Sequence, residues 1–475
     1  MKNSFNFPSE LFQAPSVTAN SHEVMQGGIF VAIEGQKFNG NNFINEAISK
    51  GAAFIISETQ YQNIPVHFIK VDNARDALNF LISKIYTRAP ENIIAVTGTN
   101  GKTSIVNIVR QLLTALGKKA ASIGSLGIIG LGNSPIETGI NTPHAADLAK
   151  HLDTLAKHNI EYVAMEASSH GLDQERVRNI HFKAAAFTNL TQDHLDYHLT
   201  FENYFNAKMQ LFSKYMQNGT AVINIDIDQF GKIEQTSQQN NNKIISYGKS
   251  SSADLRLINS RIIGSKQEID FTFQNSSFQV SIPLFGTYQA YNLLAAIGLL
   301  LALDFEIEAI AKATRAISEI PGRMELVSDF NDKYIFIDYS HSTDSLEKAL
   351  ETLIELERGK LWLLFGCGGD RDKEKRPQMG LVATKFADHI IVTDDNPRTE
   401  SPSQIRSEIL ATCQGAIEID DRKAAINYAI ANMQPGDTLL IAGKGHEKYQ
   451  IIGDKSLPFD EHQIVKEIVS QNGSH

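Results

Sequence analysis

One segment constrains the fold more than any other. A short apolar run at residues 93–96 leads into TGTNGKT at residues 97–103, and apolar residues then recur at helical spacing as far as Gly117. Glycines let backbone amides approach a phosphate, and the start of a helix adds its dipole. Lys102 can reach the outer phosphates, and Thr103 can place its hydroxyl on Mg²⁺. The segment predicts a phosphate loop, although Val96 stands where the general pattern has Gly and an ordinary glycine-rich turn is the alternative.

Strand and helix patterns alternate along most of the chain, which has 475 residues and room for two to four domains. Short apolar runs between helical patterns predict a small α/β domain over residues 1–88. Residues 89–321 continue the alternation, except that residues 253–284 alternate like antiparallel strands. Residues 322–475 hold a second α/β pattern, with strand candidates at 334–337, 361–365, 389–393 and 438–441. We therefore predict an α/β fold of three domains. The first is a small N-terminal α/β domain, the second a central P-loop-type ATPase domain with a mostly parallel sheet, and the third a C-terminal Rossmann-like α/β domain.

Composition and charge exclude several classes of protein. Hydrophobic residues make up 42% of the chain, which supports sizeable cores and argues against disorder. The net charge of −10 comes without a long basic run, so we expect no nucleic-acid partner. Only two cysteines are present, and no stretch approaches the roughly 20 apolar residues that span a bilayer. With no leader-like segment at the N-terminus, we expect a cytoplasmic protein without a membrane partner, acting as a monomer.

Polar side chains follow the ends of two predicted strands in the central region. Glu166 comes directly after the run at 162–165, and His194 lies in the polar segment that follows the run at 185–187. A carboxylate at a strand end can coordinate Mg²⁺ opposite a phosphate loop. Any one of these residues could simply cap a helix or lie in a solvated loop, but together they favour a site.

In the last region, Asp395-Asn396-Pro397-Arg398 follows a predicted strand. Pro397 stiffens the turn, and Arg398 offers a planar fork that suits a carboxylate. Cys367 also follows a strand, but it lacks a neighbouring pattern of His and acid, so we interpret it as a packed small residue.

The loop TGTNGKT resembles the ATP loop of the Mur ligases and of their folylpolyglutamate synthetase relatives, and the resemblance spans nearly the whole chain. It implies domains that bind a UDP-linked substrate (1–88), ATP (89–321) and an amino acid (322–475). It further implies an ATP- and Mg²⁺-dependent ligase that joins meso-2,6-diaminopimelate to UDP-N-acetylmuramoyl-L-alanyl-D-glutamate, in peptidoglycan precursor synthesis. The carboxylate would be activated as an acyl phosphate, and domain closure would assemble the site.

The resemblance also implies roles for individual residues. The ATP contacts would be Gly98, Thr99, Asn100, Gly101, Lys102, Thr103, Ser104, Asn292, Arg323, Asp338 and His341. The magnesium ligands would be Thr103, Glu166, His194 and a carbamylated Lys208, whose modification turns a cation into an anion. The catalytic residues would be Lys102, Lys208 and His194.

Two further groups would hold the substrates. The UDP-linked precursor would contact Ser21, Asn141, Thr142, Ser168, Gln174 and Arg176. Diaminopimelate would contact Arg371, Asp395, Asn396, Pro397, Arg398, Gly443 and Glu447. In the family, Asp-Asn-Pro-Arg marks the members that add diaminopimelate. Lysine lacks the second carboxylate and would leave the charge of Arg398 unpaired.

The chain departs from the family pattern at several places, of which two concern predicted substrate-binding segments. Asn20-Ser21-His22 stands where Asp-Ser-Arg is usual, and Ser340, Ser342 and Thr343 replace Ala, Thr and Pro in the segment that begins at Asp338. Three rivals stay open at this point: a ligase that adds lysine, a folate-polyglutamating enzyme, and a nucleotide-binding scaffold without catalysis. Arg398 argues against the first rival, and the first domain argues against the second.

Overall fold

The computed structural model describes residues 5–35, 39–356 and 358–472, so the predicted ranges 1–88 and 322–475 extend slightly beyond the described residues. Three α/β domains follow one another, each built around its own sheet. Within the described residues, no helix is both long and apolar enough to cross a membrane.

The first domain is a parallel four-stranded sheet in the order β1-β2-β3-β4. Its strands are β1 (Val17–Thr18), β2 (Ile29–Ala32), β3 (Phe54–Ser57) and β4 (His67–Lys70), and its helices are α1 (Ile44–Ser49) and α2 (Ala74–Ile85). All four residues of β2 are buried, because one face packs against α2 and the other against α1. Burial on both faces explains why this strand is a continuous apolar run in the sequence.

The central domain is a ten-stranded sheet in the order β14-β13-β12-β11-β10-β9-β5-β8-β6-β7. Its strands are β5 (Asn92–Thr97), β6 (Ala120–Gly124), β7 (Gly127–Ile129), β8 (Tyr162–Glu166), β9 (Ala184–Phe187), β10 (Thr220–Asn224), β11 (Lys243–Gly248), β12 (Leu255–Ile263), β13 (Lys266–Phe273) and β14 (Ser276–Ile282). Its helices are α3 (Lys102–Ala115), α4 (Ala145–Lys157), α5 (Ser169–Asp173), α6 (Leu195–His198), α7 (Phe201–Gln210), α8 (Phe230–Gln239), α9 (Thr287–Leu301) and α10 (Ile307–Ala313).

The predicted parallel core and antiparallel extension of this domain are both confirmed. Strand β5 pairs in parallel with β8 and β9, whereas β12, β13 and β14 form an antiparallel meander. Helices α3 and α9 cover one face, and α4 and α7 help to cover the other. The predicted stop of α3 is also present, since Gly117 follows the helix with a φ of 75°.

The C-terminal domain is a six-stranded sheet in the order β15-β16-β20-β17-β18-β19, with a separate hairpin of β21 and β22. Its strands are β15 (Glu325–Phe330), β16 (Lys333–Asp338), β17 (Leu361–Phe365), β18 (His389–Val392), β19 (Ile417–Glu418), β20 (Thr438–Ala442), β21 (Tyr449–Ile452) and β22 (Lys455–Pro458). Its helices are α11 (Thr343–Ile354), α12 (Lys375–Phe386), α13 (Pro402–Leu410), α14 (Arg422–Asn432) and α15 (Glu461–Asn472). The sheet is parallel except for its edge strand β15, so the predicted Rossmann-like unit is confirmed with an antiparallel edge.

The carboxyl ends of the parallel strands position the polar segments that the sequence singles out. Val96 of β5 lies in register with Glu166 of β8, and Thr97 lies in register with Phe187 of β9. The phosphate loop and both polar segments of the central domain therefore leave the same edge of the sheet. Ligands in open α/β sheets gather at such an edge.

Candidate active site

The phosphate loop is shaped by two glycines in conformations that other residues rarely adopt. Gly98 has a φ of 138° and Gly101 has a φ of 89°. A Cβ atom at Gly98 would collide with the Thr188 hydroxyl, and one at Gly101 would collide with the Asn292 side chain. The predicted strand–loop–helix unit is confirmed, and neither glycine could be replaced without moving its neighbours.

Two lysines meet behind this loop. The amines of Lys102 and Lys208 both donate to the carbonyl oxygen of Gly98, at 2.9 and 2.8 Å. Burial lowers the pKa of Lys102. Burial and then the neighbouring Lys102 hold the pKa of Lys208 well below its ordinary value. A lowered pKa favours the neutral amine, which keeps a lone pair and is the nucleophilic form of a lysine.

A carboxylate and a hydroxyl lie side by side at the start of α3. Thr103 Oγ1 donates to Glu166 Oε1 at 2.9 Å, and the Ser125 amide donates to the same oxygen at 2.7 Å. Mg²⁺ usually takes one or two protein oxygens and completes its octahedron with phosphates and water, so this pair fits the predicted ion. Among the residues that the structure describes, no group of three or more His, Cys, Asp or Glu side chains is arranged to hold a metal ion.

His194 lines the same cavity as this pair and lies at the start of α6. Its backbone is left-handed, with a φ of 55°, and Nε2 lies 3.5 Å from Asp193 Oδ2. Burial lowers the pKa of His194 to about 3. The imidazole is therefore neutral at pH 7, the form in which a ring nitrogen can bind a metal ion.

The third domain contacts the phosphate loop directly. Arg323 Nη2 donates to Thr103 Oγ1 at 3.0 Å, and Asn100 Nδ2 donates to Asp344 Oδ2 at 3.0 Å. His446 Nε2 donates to the Ser125 carbonyl at 3.0 Å. Since Ser125 also binds Glu166, a continuous chain of contacts links the third domain to the predicted magnesium site.

A cavity of about 690 Å³ lies between the central and C-terminal domains. Most of the predicted ATP contacts line it, namely Thr99, Asn100, Gly101, Lys102, Thr103, Ser104, Asn292, Arg323, Asp338 and His341. Gly98 lies at the base of the loop, where its carbonyl oxygen accepts hydrogen bonds from the two amines.

The cavity also contains residues that were not predicted from the sequence, among them Asp226, which accepts a hydrogen bond from the Tyr291 hydroxyl at 2.7 Å. Its place just after β10 is the signal that could have found it.

Four of the six predicted precursor contacts form one cluster beside Glu166. Arg176 Nη1 donates to the Thr142 carbonyl at 2.7 Å, and Nη2 donates to Gln174 Oε1 at 2.7 Å. The Ser168 amide donates to Thr142 Oγ1 at 3.0 Å. Asn141 lines the cavity next to this cluster.

The sixth residue, Ser21, lies in the first domain, where its hydroxyl donates to Glu46 Oε2 at 2.8 Å. The structure therefore does not bring Ser21 into the cluster around Thr142. The neighbouring departure from the family pattern, His22, lies 3.2 Å from the same carboxylate through Nδ1. Arg75, which the sequence reading missed, connects the first domain to the cluster by donating to the Gln174 carbonyl at 3.0 Å.

The predicted amino-acid contacts come from loops after β18 and β20. Asn396 Nδ2 donates to Glu447 Oε2 at 2.9 Å, and the buried Lys444 amine donates to Asn396 Oδ1 at 3.1 Å. Arg398 has a φ of 52° and donates to the Gly369 carbonyl at 2.8 Å. Gly443 has a φ of 119°, and a Cβ atom there would lie 2.5 Å from a carboxylate oxygen of Asp395.

The remaining two members of this group differ in their exposure to solvent. Pro397 is buried between Asn396 and Arg398, whereas Arg371 is exposed and donates to the Asp370 carbonyl at 3.1 Å. Lys444 was missed because burial of its charge depends on the fold and leaves no mark in the local sequence.

The substitutions near Ser340 have a structural explanation. The Ser340 hydroxyl bonds to the carboxylate of Asp338, so the extra oxygen has a partner. Ser342 caps α11, and its side chain and that of Ser345 form a reciprocal capping box. Thr343 then takes the first helical position, where the family's Pro is also well tolerated. The replaced residues therefore keep the turn and the helix start.

Three family models match the chain. The Mur ligase family catalytic domain matches residues 15–86, the Mur ligase middle domain matches 96–300, and the Mur ligase glutamate ligase domain matches 322–445.

Relatives of similar length resemble the chain along nearly its whole extent. The UDP-N-acetylmuramoyl-L-alanyl-D-glutamate–2,6-diaminopimelate ligase of Rickettsia conorii is 42% identical over 473 residues, which covers 97% of each chain. A solved structure of a ligase with that name has a TM-score of 0.68 and 32% identity, over 97% of this chain and 96% of the other. The MurF ligase of Thermotoga maritima in complex with ADP shares the fold, with a TM-score of 0.68 and 20% identity over 98% and 99% of the two chains. The chain therefore belongs to the Mur ligase family.

Proposed function

We propose that this protein is an ATP-dependent ligase that adds meso-2,6-diaminopimelate to UDP-N-acetylmuramoyl-L-alanyl-D-glutamate, a step in the synthesis of the peptidoglycan precursor. One observation carries the proposal: a chain of contacts joins three groups of side chains. The phosphate loop, the cluster around Thr142 and the cluster around Asn396 are connected through Glu166, Ser125 and His446. A ligase with three substrates needs them to meet in this way.

ATP would lie in the cavity between the two larger domains. Lys102 and Arg323 bring two basic side chains to the cavity, and the loop glycines adopt the positive φ angles that its turn requires. Thr103 and Glu166 would hold Mg²⁺, which supplies neutralisation of charge on the transferred phosphoryl group. Positioning and charge neutralisation are the main sources of catalysis in phosphoryl transfer.

In the first step, the D-glutamyl carboxylate of the precursor attacks the γ-phosphorus of ATP. The bond to the β,γ-bridging oxygen breaks, and an acyl phosphate and ADP form. In the second step, the amine of diaminopimelate attacks the acyl carbon, loses a proton and displaces inorganic phosphate. Arg176 and Thr142 lie beside Glu166, at the position from which a bound precursor would reach the phosphate loop.

Lys208 would act after carbamylation. Its neutral amine would add to CO₂, forming a nitrogen–carbon bond and releasing one proton. The product would be an anion beside Lys102, so an attraction between opposite charges would form there. The resulting carboxylate, together with His194, would help to hold the metal ion.

Selection of the amino acid would depend on the loops after β18 and β20. Arg398 presents a guanidinium that can pair with the second carboxylate of diaminopimelate, and Glu447 presents a carboxylate to an ammonium group. L-Lysine has no carboxylate at that end. Binding lysine would bury an unpaired guanidinium, which disfavours it.

The test is release of inorganic phosphate with ATP, Mg²⁺ and the UDP-linked dipeptide precursor. We expect release with meso-diaminopimelate and little release with L-lysine. Equal release with lysine would keep the ligase and overturn the selectivity. Phosphate release that does not depend on the precursor, or no release with either amino acid, would overturn the ligase proposal. A Lys102→Met variant is the matched control for phosphate from a contaminating ATPase.

A further inference from the structure

The C-terminal domain contains an ion pair that is fully removed from water. Arg422 begins α14, Glu461 begins α15, and both side chains are 0% exposed. Arg422 Nε donates to Glu461 Oε1 at 2.6 Å. Burying two charges costs desolvation energy that their attraction often fails to recover, so stability alone is a weak reason for the pair.

The rest of the Arg422 guanidinium points to a different role. Nη2 donates to the carbonyl of Ala442 at 2.9 Å, and Nη1 donates to the carbonyl of Asp394 at 3.4 Å. Ala442 directly precedes Gly443, and Asp394 directly precedes Asp395. A single planar side chain therefore holds a peptide near the start of each of the two loops that carry the predicted amino-acid contacts.

These two loops leave strands that are not neighbours. Strand β17 lies between β18 and β20 in the sheet, so strand pairing does not join the two loops where they begin. Farther along the chain, backbone hydrogen bonds join Arg398 to the hairpin that follows the second loop, at 3.1 Å to the Ile451 carbonyl and at 2.8 Å from the Gly453 amide. Near the start of the loops Arg422 provides a connection, and the contact of Asn396 with Glu447 provides another.

We propose that Arg422, oriented by Glu461, is a positioning residue that sets the spacing of the diaminopimelate-binding loops and thereby the affinity and selectivity for the amino acid. The inference rests on the function proposed above. Arg422 itself touches no reacting group; it acts through the peptides before Asp395 and Gly443. The planar guanidinium matters because its three nitrogens each donate to a different acceptor, namely Glu461 and the two carbonyls. A lysine ammonium has one nitrogen and cannot reproduce this geometry.

The sharpest test removes both charges at once. In the double variant Arg422→Met/Glu461→Leu no buried charge is left unpaired, so the melting temperature should stay near that of the parent. We expect the KM for diaminopimelate to rise at least about tenfold, because a loop shift of an ångström far from the chemistry can cost a hundredfold. The KM values for ATP and for the UDP-linked precursor should stay within twofold of the parent, about the scatter of such measurements.

A second variant covers the case in which the double variant does not fold. Arg422→Lys keeps the charge and the pair with Glu461 but loses the fork, and we expect the same selective rise in the KM for diaminopimelate. The control is Lys385→Gln/Glu347→Gln, which removes an exposed ion pair of the same domain, with an N–O distance of 3.0 Å. It should change none of the three KM values.

Every outcome of these KM measurements either supports or contradicts the positioning role of Arg422. A selective rise in the KM for diaminopimelate in a folded variant supports the positioning role. An unchanged KM in folded variants, or an equal rise for all three substrates, overturns it. Absence of diaminopimelate-dependent turnover in the parent enzyme overturns the proposed function instead, so the two failures are distinguishable.

Discussion

The amines of Lys102 and Lys208 meet on one acceptor, the carbonyl oxygen of Gly98, although the two lysines lie on different helices. Two ammonium groups cannot share a buried carbonyl without strong repulsion. The pKa of Lys208 is accordingly far below its ordinary value, through burial and then through Lys102.

From this relationship we predict that Lys208 reacts with CO₂. In ¹³C NMR with labelled bicarbonate, the parent should give a carbamate signal that the Lys208→Met variant lacks. Activity of that variant should fall about a hundredfold or more, as for loss of other groups that stabilise transition-state charge. Lys385→Gln, at an exposed lysine, is the control. A parent without the signal, or a Lys208→Met variant with full activity, would contradict the prediction.

Arg323 reaches from the third domain to Thr103 of the phosphate loop, and its guanidinium lies 4.5 Å from the centre of the Tyr339 ring. Arg323→Lys keeps the charge but loses the planar stacking and the fork. We expect kcat to fall by about ten- to a hundredfold, since one well-placed donor to a phosphoryl group has effects of this order. Steady-state phosphate release measures the change. Arg261→Lys, on the surface hairpin of the central domain, should leave kcat unchanged, and equal rates for both variants would be evidence against a role of Arg323.

Arg398 is the proposed partner of the second carboxylate of diaminopimelate. Replacement by Met should raise the KM for diaminopimelate by about a hundredfold, or ~3 kcal/mol, the upper range for a hydrogen-bonded ion contact. The preference over L-lysine should shrink by a similar factor, because lysine no longer leaves a buried charge unpaired. Competition assays with the two amino acids measure both effects. If the Arg398→Met variant keeps its preference for diaminopimelate, a residue other than Arg398 determines the selectivity.

His462 of α15 lies 2.8 Å through Nε2 from Glu325 Oε2, and that hydrogen bond raises the pKa of His462. The folded state therefore binds the proton more tightly than the unfolded state does. The resulting stability is fully present below the unfolded pKa of about 6.5 and is lost as the pH rises through the higher folded value.

We predict that His462→Gln destabilises the protein more at pH 6 than at pH 9. Urea unfolding of both proteins at the two pH values measures the difference in the free energy of unfolding. A destabilisation that is equal at both pH values, or larger at pH 9, would contradict the assigned direction. Glu325 also accepts the Gly322 amide at 2.6 Å, so the effect concerns the junction of the second and third domains.

Local features were predictable because neighbouring residues decide them. The phosphate loop needs glycines at two positive φ angles, and the buried strands need continuous apolar runs. The end of α3 before Gly117 was predictable for the same reason, because a glycine readily adopts the positive φ angle that follows a helix. The strand ends could also be found, and with them Glu166 and Asn396, since parallel strands bring their carboxyl ends to one edge.

Contacts over long sequence distances could not be predicted in this way. The hydrogen bond from the Ser21 hydroxyl to Glu46, 25 residues away, is one of them. Arg75 contacts the Gln174 carbonyl, a contact across 99 residues that no local pattern marks. The sequence does not indicate that Lys444 is buried, because a lysine in a loop is ordinarily solvated.

The amino-acid sequence by itself determined the strand–loop–helix units, the order of the three α/β domains and the motifs that mark a Mur ligase. Only the tertiary structure decided that Lys208 reaches Gly98, that His446 reaches Ser125 and that Arg422 spans two loops. The physical reason is that secondary structure follows from short-range geometry and hydrophobic periodicity. The charge state and partners of a buried polar group depend instead on which distant segments exclude water around it.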